Sequence, residues 1–195
     1  MKVLLINGSP HEKGSTFTAL SEIAGELEKR DVEAEIFHIG TKPISGCLAC
    51  RKCAETHRCI IDDAVNAALE KAKGCDGFIF GSPVYYASAN GAMISFMDRL
   101  FFTRSGYFDY KPAACISVAR RAGTTATYDQ LNKYLGINKM IMIPSVYWNM
   151  AFGHNAEEVR QDEEGMDIMR TLGKNMAWML KVLDAGKKAG LEKPE

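Results

Sequence analysis

No sign of charge dominates this chain: its 195 residues carry 24 lysines and arginines against 24 aspartates and glutamates. A nucleic-acid binder should show a basic surplus or stripe, and a surface-bound protein a polybasic segment. Neither is present, so no nucleic acid and no membrane is expected as a partner. Long apolar runs are missing too. None approaches the roughly 18 residues of a spanning helix. The opening Met1-Lys2-Val3-Leu4-Leu5-Ile6 passes straight into Asn7-Gly8-Ser9-Pro10, too short for a signal-peptide core and with no cleavage site behind it. The expected location is cytoplasmic. Internal repeats and low-complexity tracts are absent, as are a Ser-His-Asp arrangement, paired carboxylates and zinc-hydrolase motifs.

What is present is a regular alternation of short apolar runs and helical-period stretches. Strands are expected at 3–6, 33–39, 78–80, 114–118 and 139–147. Helices are expected at 15–29, after a cap at Asp62 or Asp63, at 91–102, near 125–135 and over roughly 157–184. Gly165 and Gly173 interrupt the last of these. Five strands joined by five helices predict an α/β fold, an open parallel sheet of flavodoxin-like order 2-1-3-4-5 with helices on both faces. A single domain over 1–187 is expected, with an insertion at 40–61 and a loose tail at 188–195. Ligands of such sheets lie beyond the carboxyl ends of the strands, so the loops after strands one, three and four are the ones to inspect.

The first loop, 8–16, is rich in glycine and hydroxyls and leads into a helix N-terminus, which receives phosphate readily. Ser9, Ser15 and Thr16 can add donors. Lys13 precedes Gly14, so this is no Walker loop, and Gly-x-Gly-x-x-Gly is absent. A single terminal phosphate therefore fits better than a triphosphate or pyrophosphate. The rival reading is an ordinary turn capped by Ser15. The second loop, 81–91, carries Ser82, Pro83, Val84, Tyr85, Tyr86 and Ser88. Two tyrosines there suit a flat ring, or else belong to core or interface. In the third loop, Arg120, Arg121 and Gly123 can meet negative charge on a ring edge, or simply solvent.

The segments Asn7-Gly8-Ser9-Pro10…Gly14-Ser15-Thr16 and Gly81-Ser82-Pro83-Val84-Tyr85…Asp98-Arg99 resemble those of the NADPH-dependent FMN reductase group of the flavodoxin-like superfamily. The resemblance implies FMN, with its phosphate on the first loop, its ring against the second and its pyrimidine edge near the third. His11 stands where arginine is common. Phe17 stands where asparagine is frequent, which leaves only its backbone N–H for the phosphate.

Six cysteines in a chain without an export signal read as thiols, ligands or redox groups. Cys75 and Cys115 stand apart and suit the core. Cys47, Cys50, Cys53 and Cys59 follow the spacing C-x2-C-x2-C-x5-C. Two-residue spacers suit adjacent corners of a [4Fe–4S] cubane, and the longer arm can return Cys59 to the same cluster. Zinc bound by three cysteines and His57 is one rival; a metal-free thiol loop is another. Arg51, Lys52 and Arg58 would offset cluster charge, form a docking face, or meet solvent. The insertion, with Gly46 before it and Asp62-Asp63 after it, resembles the iron–sulfur flavoproteins of anaerobes, in which all four motif cysteines carry the cluster. That resemblance implies a homo-oligomer, dimer or tetramer, with the cluster near a subunit boundary and the FMN.

The expected activity is FMN-dependent redox chemistry that joins a two-electron donor or acceptor to a one-electron centre. NAD(P)H is a candidate reductant, and a ferredoxin-like carrier, a quinone or free flavin are candidate partners. Two alternatives stand beside it: an NAD(P)H-dependent FMN or quinone reductase without a cluster, and a non-catalytic zinc- or flavin-binding assembly module.

Overall fold

The computed structural model describes residues 1–194; Glu195, the last residue of the expected tail, lies outside the described residues. The chain opens with β1 (Lys2–Asn7), whose alternate side chains enter two different cores. Val3 and Leu5 face one side with Ile79 and Ile116, while Leu4 and Ile6 face the other with Phe78, Phe80 and Cys115. A strand buried on both faces has no polar side to show, which explains the unbroken apolar run. Each such fully buried side chain contributes about 1.5–3 kcal/mol.

Helix α1 (Ser15–Glu28) leads to β2 (Glu33–His38), followed by the insertion with its single turn α2 (Cys53–Thr56). Helix α3 (Ala64–Ala72) is capped by Asp63, whose carboxylate accepts from the Val65 N–H at 3.0 Å. Then come β3 (Gly77–Tyr85), β4 (Ser88–Ala89), α4 (Gly91–Phe102), β5 (Pro112–Ala119) and α5 (Thr124–Ile137). The chain ends with β6 (Ile141–Met142), β7 (Met150–Phe152), α6 (Ala156–Gln161) and α7 (Glu163–Lys188). The parallel backbone of the sheet runs β2-β1-β3-β5-β6, the flavodoxin-like order. Helices α1 and α7 cover one face; α3, α4 and α5 cover the other.

Three expectations are corrected. Among the described residues the sheet has seven strands, not five. Strand three runs on past Gly-Ser-Pro to Tyr85 and folds back through β4, an antiparallel arm pairing Val84 with Ala89 and Tyr85 with Ser88. The expected fifth strand, 139–147, shortens to β6, and β7 pairs with β5 beyond its expected end; the segment between them holds Pro144, which has no N–H to give a ladder. The expected last helix is also two, because Asp162 leaves the helical conformation at ψ 85° and caps α7 by accepting from the Gly165 N–H. Helix α7 then passes both glycines and continues to Lys188, one residue into the expected tail. At Gly173 a Cβ would stand 2.8 Å from the Glu26 Cβ, so this glycine permits the close α1–α7 approach. Cys75 and Cys115 are buried as expected.

Candidate active site

Neighbouring strands bring the three expected loops together. Asn7 at the end of β1 lies beside Gly81 in β3, and Ser82 lies beside Ser117 in β5. The Gly8 N–H donates to the Gly81 carbonyl at 2.9 Å, fastening the first loop to the second.

The first loop is braced from within. Asn7 donates through Nδ2 to the Glu12 carbonyl and accepts through Oδ1 from the Ser9 N–H. The Ser9 hydroxyl accepts from the His11 N–H, and the His38 ring meets the Ser9 carbonyl at 2.8 Å. Gly14, not Ser15, is the N-cap of α1, and no side chain caps the helix. The N–H groups of Ser15, Thr16 and Phe17 thus form an open helix start. Beside them the Thr16 hydroxyl is buried with no hydrogen-bond partner among the described residues. A buried orphan hydroxyl costs about 1–3 kcal/mol, and a phosphate oxygen at this helix start would relieve it. The loop fits a terminal phosphate on its own chemistry. The His11 side chain is exposed.

The second loop is a hairpin whose tip, Tyr86 and Ala87, has φ of 52° and 57°. Both residues sit in the left-handed region at about 1–2 kcal/mol each, the geometry of primed hairpin turns usually made by Asn-Gly. The arm is tied down by Gln130, whose side-chain carbonyl accepts from the Ser88 hydroxyl and the Ala89 N–H. Ser82 is fully buried; its hydroxyl donates to the Pro83 carbonyl and accepts from the Asn90 N–H. The hydroxyls of Ser82 and Ser88 therefore hold the hairpin together. Pro83 and Val84 are half-buried, whereas Tyr85 and Tyr86 stand exposed. The third loop meets the hairpin at Gly123, where φ is +85° and a Cβ would lie 2.8 Å from the Ala87 Cα. Arg120 is exposed at its start.

All four motif cysteines line one open cavity, together with Ile61, Arg99, Phe102 and Thr103. Among the described residues no three His, Cys, Asp or Glu side chains converge on a point that one ion could occupy. Four thiols lining one cavity are, as donors, the set that a four-iron cluster takes. The His57 ring faces the Thr103 carbonyl at 3.3 Å. Ala49, Arg51 and His57 take positive φ, which coils the loop around the cavity. Burial pushes the Cys53 thiol above its usual value, and Cys47, Cys50 and Cys59 add to the shift. Cys47 and Cys50 are exposed.

The Cys53 thiol donates to the Phe102 carbonyl at 3.5 Å, and the Cys59 corner is anchored more firmly. Asn66 bonds both the N–H and the carbonyl of Cys59. Arg99, 2% exposed, donates through Nε to the Cys59 Sγ at 3.3 Å. Its two NH groups grip the Asp63 carboxylate at 2.6 and 2.9 Å and reach the Ser45 and Ile61 carbonyls. Burial opposes the guanidinium charge, but Asp63 and Cys59 outweigh it and hold its pKa above the usual arginine value. The cavity lies at the C-terminal end of α4, whereas the second loop lies at its start. That is about 18 Å along the helix axis.

The family model described as NADPH-dependent FMN reductase matches residues 1–155, which takes in the three loops and the cysteine cavity. The chain belongs to this family. By that membership it is an FMN-dependent oxidoreductase. A member from Methanocaldococcus jannaschii, named iron-sulfur flavoprotein MJ1083, is 29% identical over 94% of this chain and 99% of its own. Among solved structures, RosB with a bound riboflavin-phosphate intermediate superposes with a TM-score of 0.73 at 14% identity, covering 100% of this chain and 88% of its own. A flavodoxin from the domain Archaea gives 0.63 at 15%, covering 93% and 99%. At such identities these two speak for the flavodoxin-like fold alone. Among the described residues no helix is long and apolar enough to cross a membrane.

Sequence reasoning missed Arg99 as a site residue, along with Asp63, Asn66, His38 and Gln130. Arg99 could have been found. It lies three residues after Phe96 on an otherwise apolar helix face, and a charge there demands a partner.

Proposed function

We propose that this protein passes electrons between a two-electron donor or acceptor and a one-electron [4Fe–4S] centre, by way of FMN. The observation that carries this reading is the single cavity lined by Cys47, Cys50, Cys53 and Cys59 in a chain whose family is that of flavin reductases. The name of the M. jannaschii relative supports it. In this reading the open N–H groups of residues 15–17, with the hydroxyls of Ser9, Ser15 and Thr16, hold the phosphate, and His11 stands at its rim. The hairpin from Ser82 to Ser88 walls the ring, presenting Pro83, Val84, Tyr85 and Tyr86, and the loop from Arg120 to Gly123 bounds its far edge. The four thiols hold the cluster. When bound, FMN exchanges electrons as hydride or singly, whereas a cluster takes one at a time. NAD(P)H, a quinone, free flavin and a ferredoxin-like carrier are the partners this chemistry admits. Six free thiols suit a reducing, cytoplasmic setting.

The protein itself binds, orients and shields. Gln130, Ser82 and Gly123 fix the hairpin against the third loop, so the ring would meet a wall already set. The separation of the two cradles along α4 favours a homo-oligomer, in which a second copy brings its flavin loops towards the cysteine cavity. The second reading, a flavin or quinone reductase with a metal-free thiol loop, draws on the exposure of Cys47 and Cys50.

Iron, acid-labile sulfide, zinc and flavin per chain, measured on protein purified without oxygen, decide between the two. About four iron, four sulfide and one FMN are expected. FMN without iron after anaerobic reconstitution overturns the cluster and leaves the reductase.

A further inference from the structure

Arg99 is a guanidinium only 2% exposed, at the end of a helix whose neighbouring residues Phe96 and Leu100 are buried in the core. A buried charge persists only where pairing and hydrogen bonds compensate it. Here the compensation is spread over the insertion: Ser45 before the cysteines, Cys59 within them, and Ile61 and Asp63 after them. Closing the neck of a loop requires only the carbonyls and the carboxylate. The contact that remains, Nε to Cys59 Sγ, aims a positive charge at one of the four sulfurs.

We infer that Arg99 and Asp63 form a charge pair that sets the reduction potential of the iron–sulfur centre through the Cys59 sulfur. The inference rests on the four-thiol reading above. Reducing a cluster adds one electron and no obligatory proton, so the charge around it grows more negative by one. A guanidinium donating to a ligand sulfur favours the form with the extra electron, and hydrogen bonds to ligand sulfurs are among the determinants of such potentials. The Asp63 carboxylate, bonded to the same guanidinium, opposes it. Arg99 and Asp63 thus act on the cluster with opposite sign, at a distance where a low-dielectric surrounding screens little. Both act through Cys59, so both are positioning residues.

The opposition supplies the test. Chemical redox titration with dithionite, followed by electron paramagnetic resonance, reads the cluster potential in the anaerobically purified full chain and in Arg99→Gln, Arg99→Lys and Asp63→Asn. Arg99→Gln is expected to lower the potential by about tenfold or more in the one-electron equilibrium, ~59 mV per decade. Asp63→Asn is expected to raise it, and Arg99→Lys, which keeps the charge, to stay close to the parent. Asparagine still caps a helix, so Asp63→Asn tests the idea even if Arg99→Gln fails to fold. Loosened packing that admits water would move all the variants the same way. Shifts of one direction, or none, with four iron retained, overturn the inference and leave the cluster standing. A parent chain without iron overturns both.

Discussion

The phosphate loop and the cysteine loop are two cradles made by opposite means. In the first, the braces are complete before any ligand arrives: Asn7 and Ser9 hold the backbone from within, His38 of β2 and the Gly81 carbonyl hold it from beside, and what is left over is an open helix start with one orphan hydroxyl. The fold has made the shape in advance, and a ligand would fill it. In the second, Arg99 and Asn66 hold the Cys59 corner and a single long bond to the Phe102 carbonyl holds the Cys53 thiol, while Cys47 and Cys50 lie on the surface. There the ligand must gather its own donors. A site of the first kind loses affinity in small steps when altered. A site of the second kind is all or nothing, because binding free energy is also the free energy that orders the loop.

The largest expected effect follows from that contrast. Cys59→Ser should reduce iron from about four per chain to near none, while FMN stays near one; parallel iron and flavin assays check it. Next, Thr16→Val should weaken FMN by about tenfold or more, the value of one hydrogen bond to a charged group, and leave iron unchanged. The same variant should make the flavin-free chain more stable by about 1 kcal/mol, since a buried orphan has gone. Fluorescence titration of flavin and thermal melting of the flavin-free chain read the two signs separately. Loss of stability in that chain would show that the hydroxyl is not an orphan.

A smaller effect should come from Gly123→Ala. A methyl group at φ +85° and 2.8 Å from Ala87 forces the hairpin off the third loop, at about 1–3 kcal/mol. Denaturant unfolding would measure it, and iron should not follow. The smallest effect, far from both cradles, is at Glu26, which Lys29 and then Arg30 hold below the usual glutamate range. A carboxylate whose folded value is depressed stabilises above its unfolded pKa and loses that contribution as pH falls through the folded value. Glu26→Gln should therefore lower stability by about 0.5–1 kcal/mol at neutral pH and flatten the acid side of the stability profile. Iron and flavin contents should stay as they are.

Much of this was legible in the sequence because it is written in local signals. Apolar runs leading to Gly8 and Gly81 mark two neighbouring buried strands, although the second runs on to Tyr85, and x2 spacing of cysteines marks crowding whatever the loop does. The hairpin was not legible, since Tyr86 and Ala87 hold a turn that local preference assigns to asparagine and glycine. Nor was the shortened fifth strand, where Pro144 lay inside an apolar stretch. Arg99 escaped for a different reason. Its place on the apolar face of α4 calls for a partner, but the partners lie 36 to 54 residues away, and no local signal names them.

The shortening of that fifth strand also bears on how copies of the chain can meet. A sheet grows by adding strands wherever a long edge leaves N–H and C=O groups unpaired. Here one margin is made of two short strands, β6 of two residues and β7 of three, and the other, β2, carries Glu33 and Glu35 tied to Lys2 and Lys71. Short strands and charged edge residues both discourage pairing with another chain. Copies of this protein are therefore expected to meet through side chains rather than by extending the sheet.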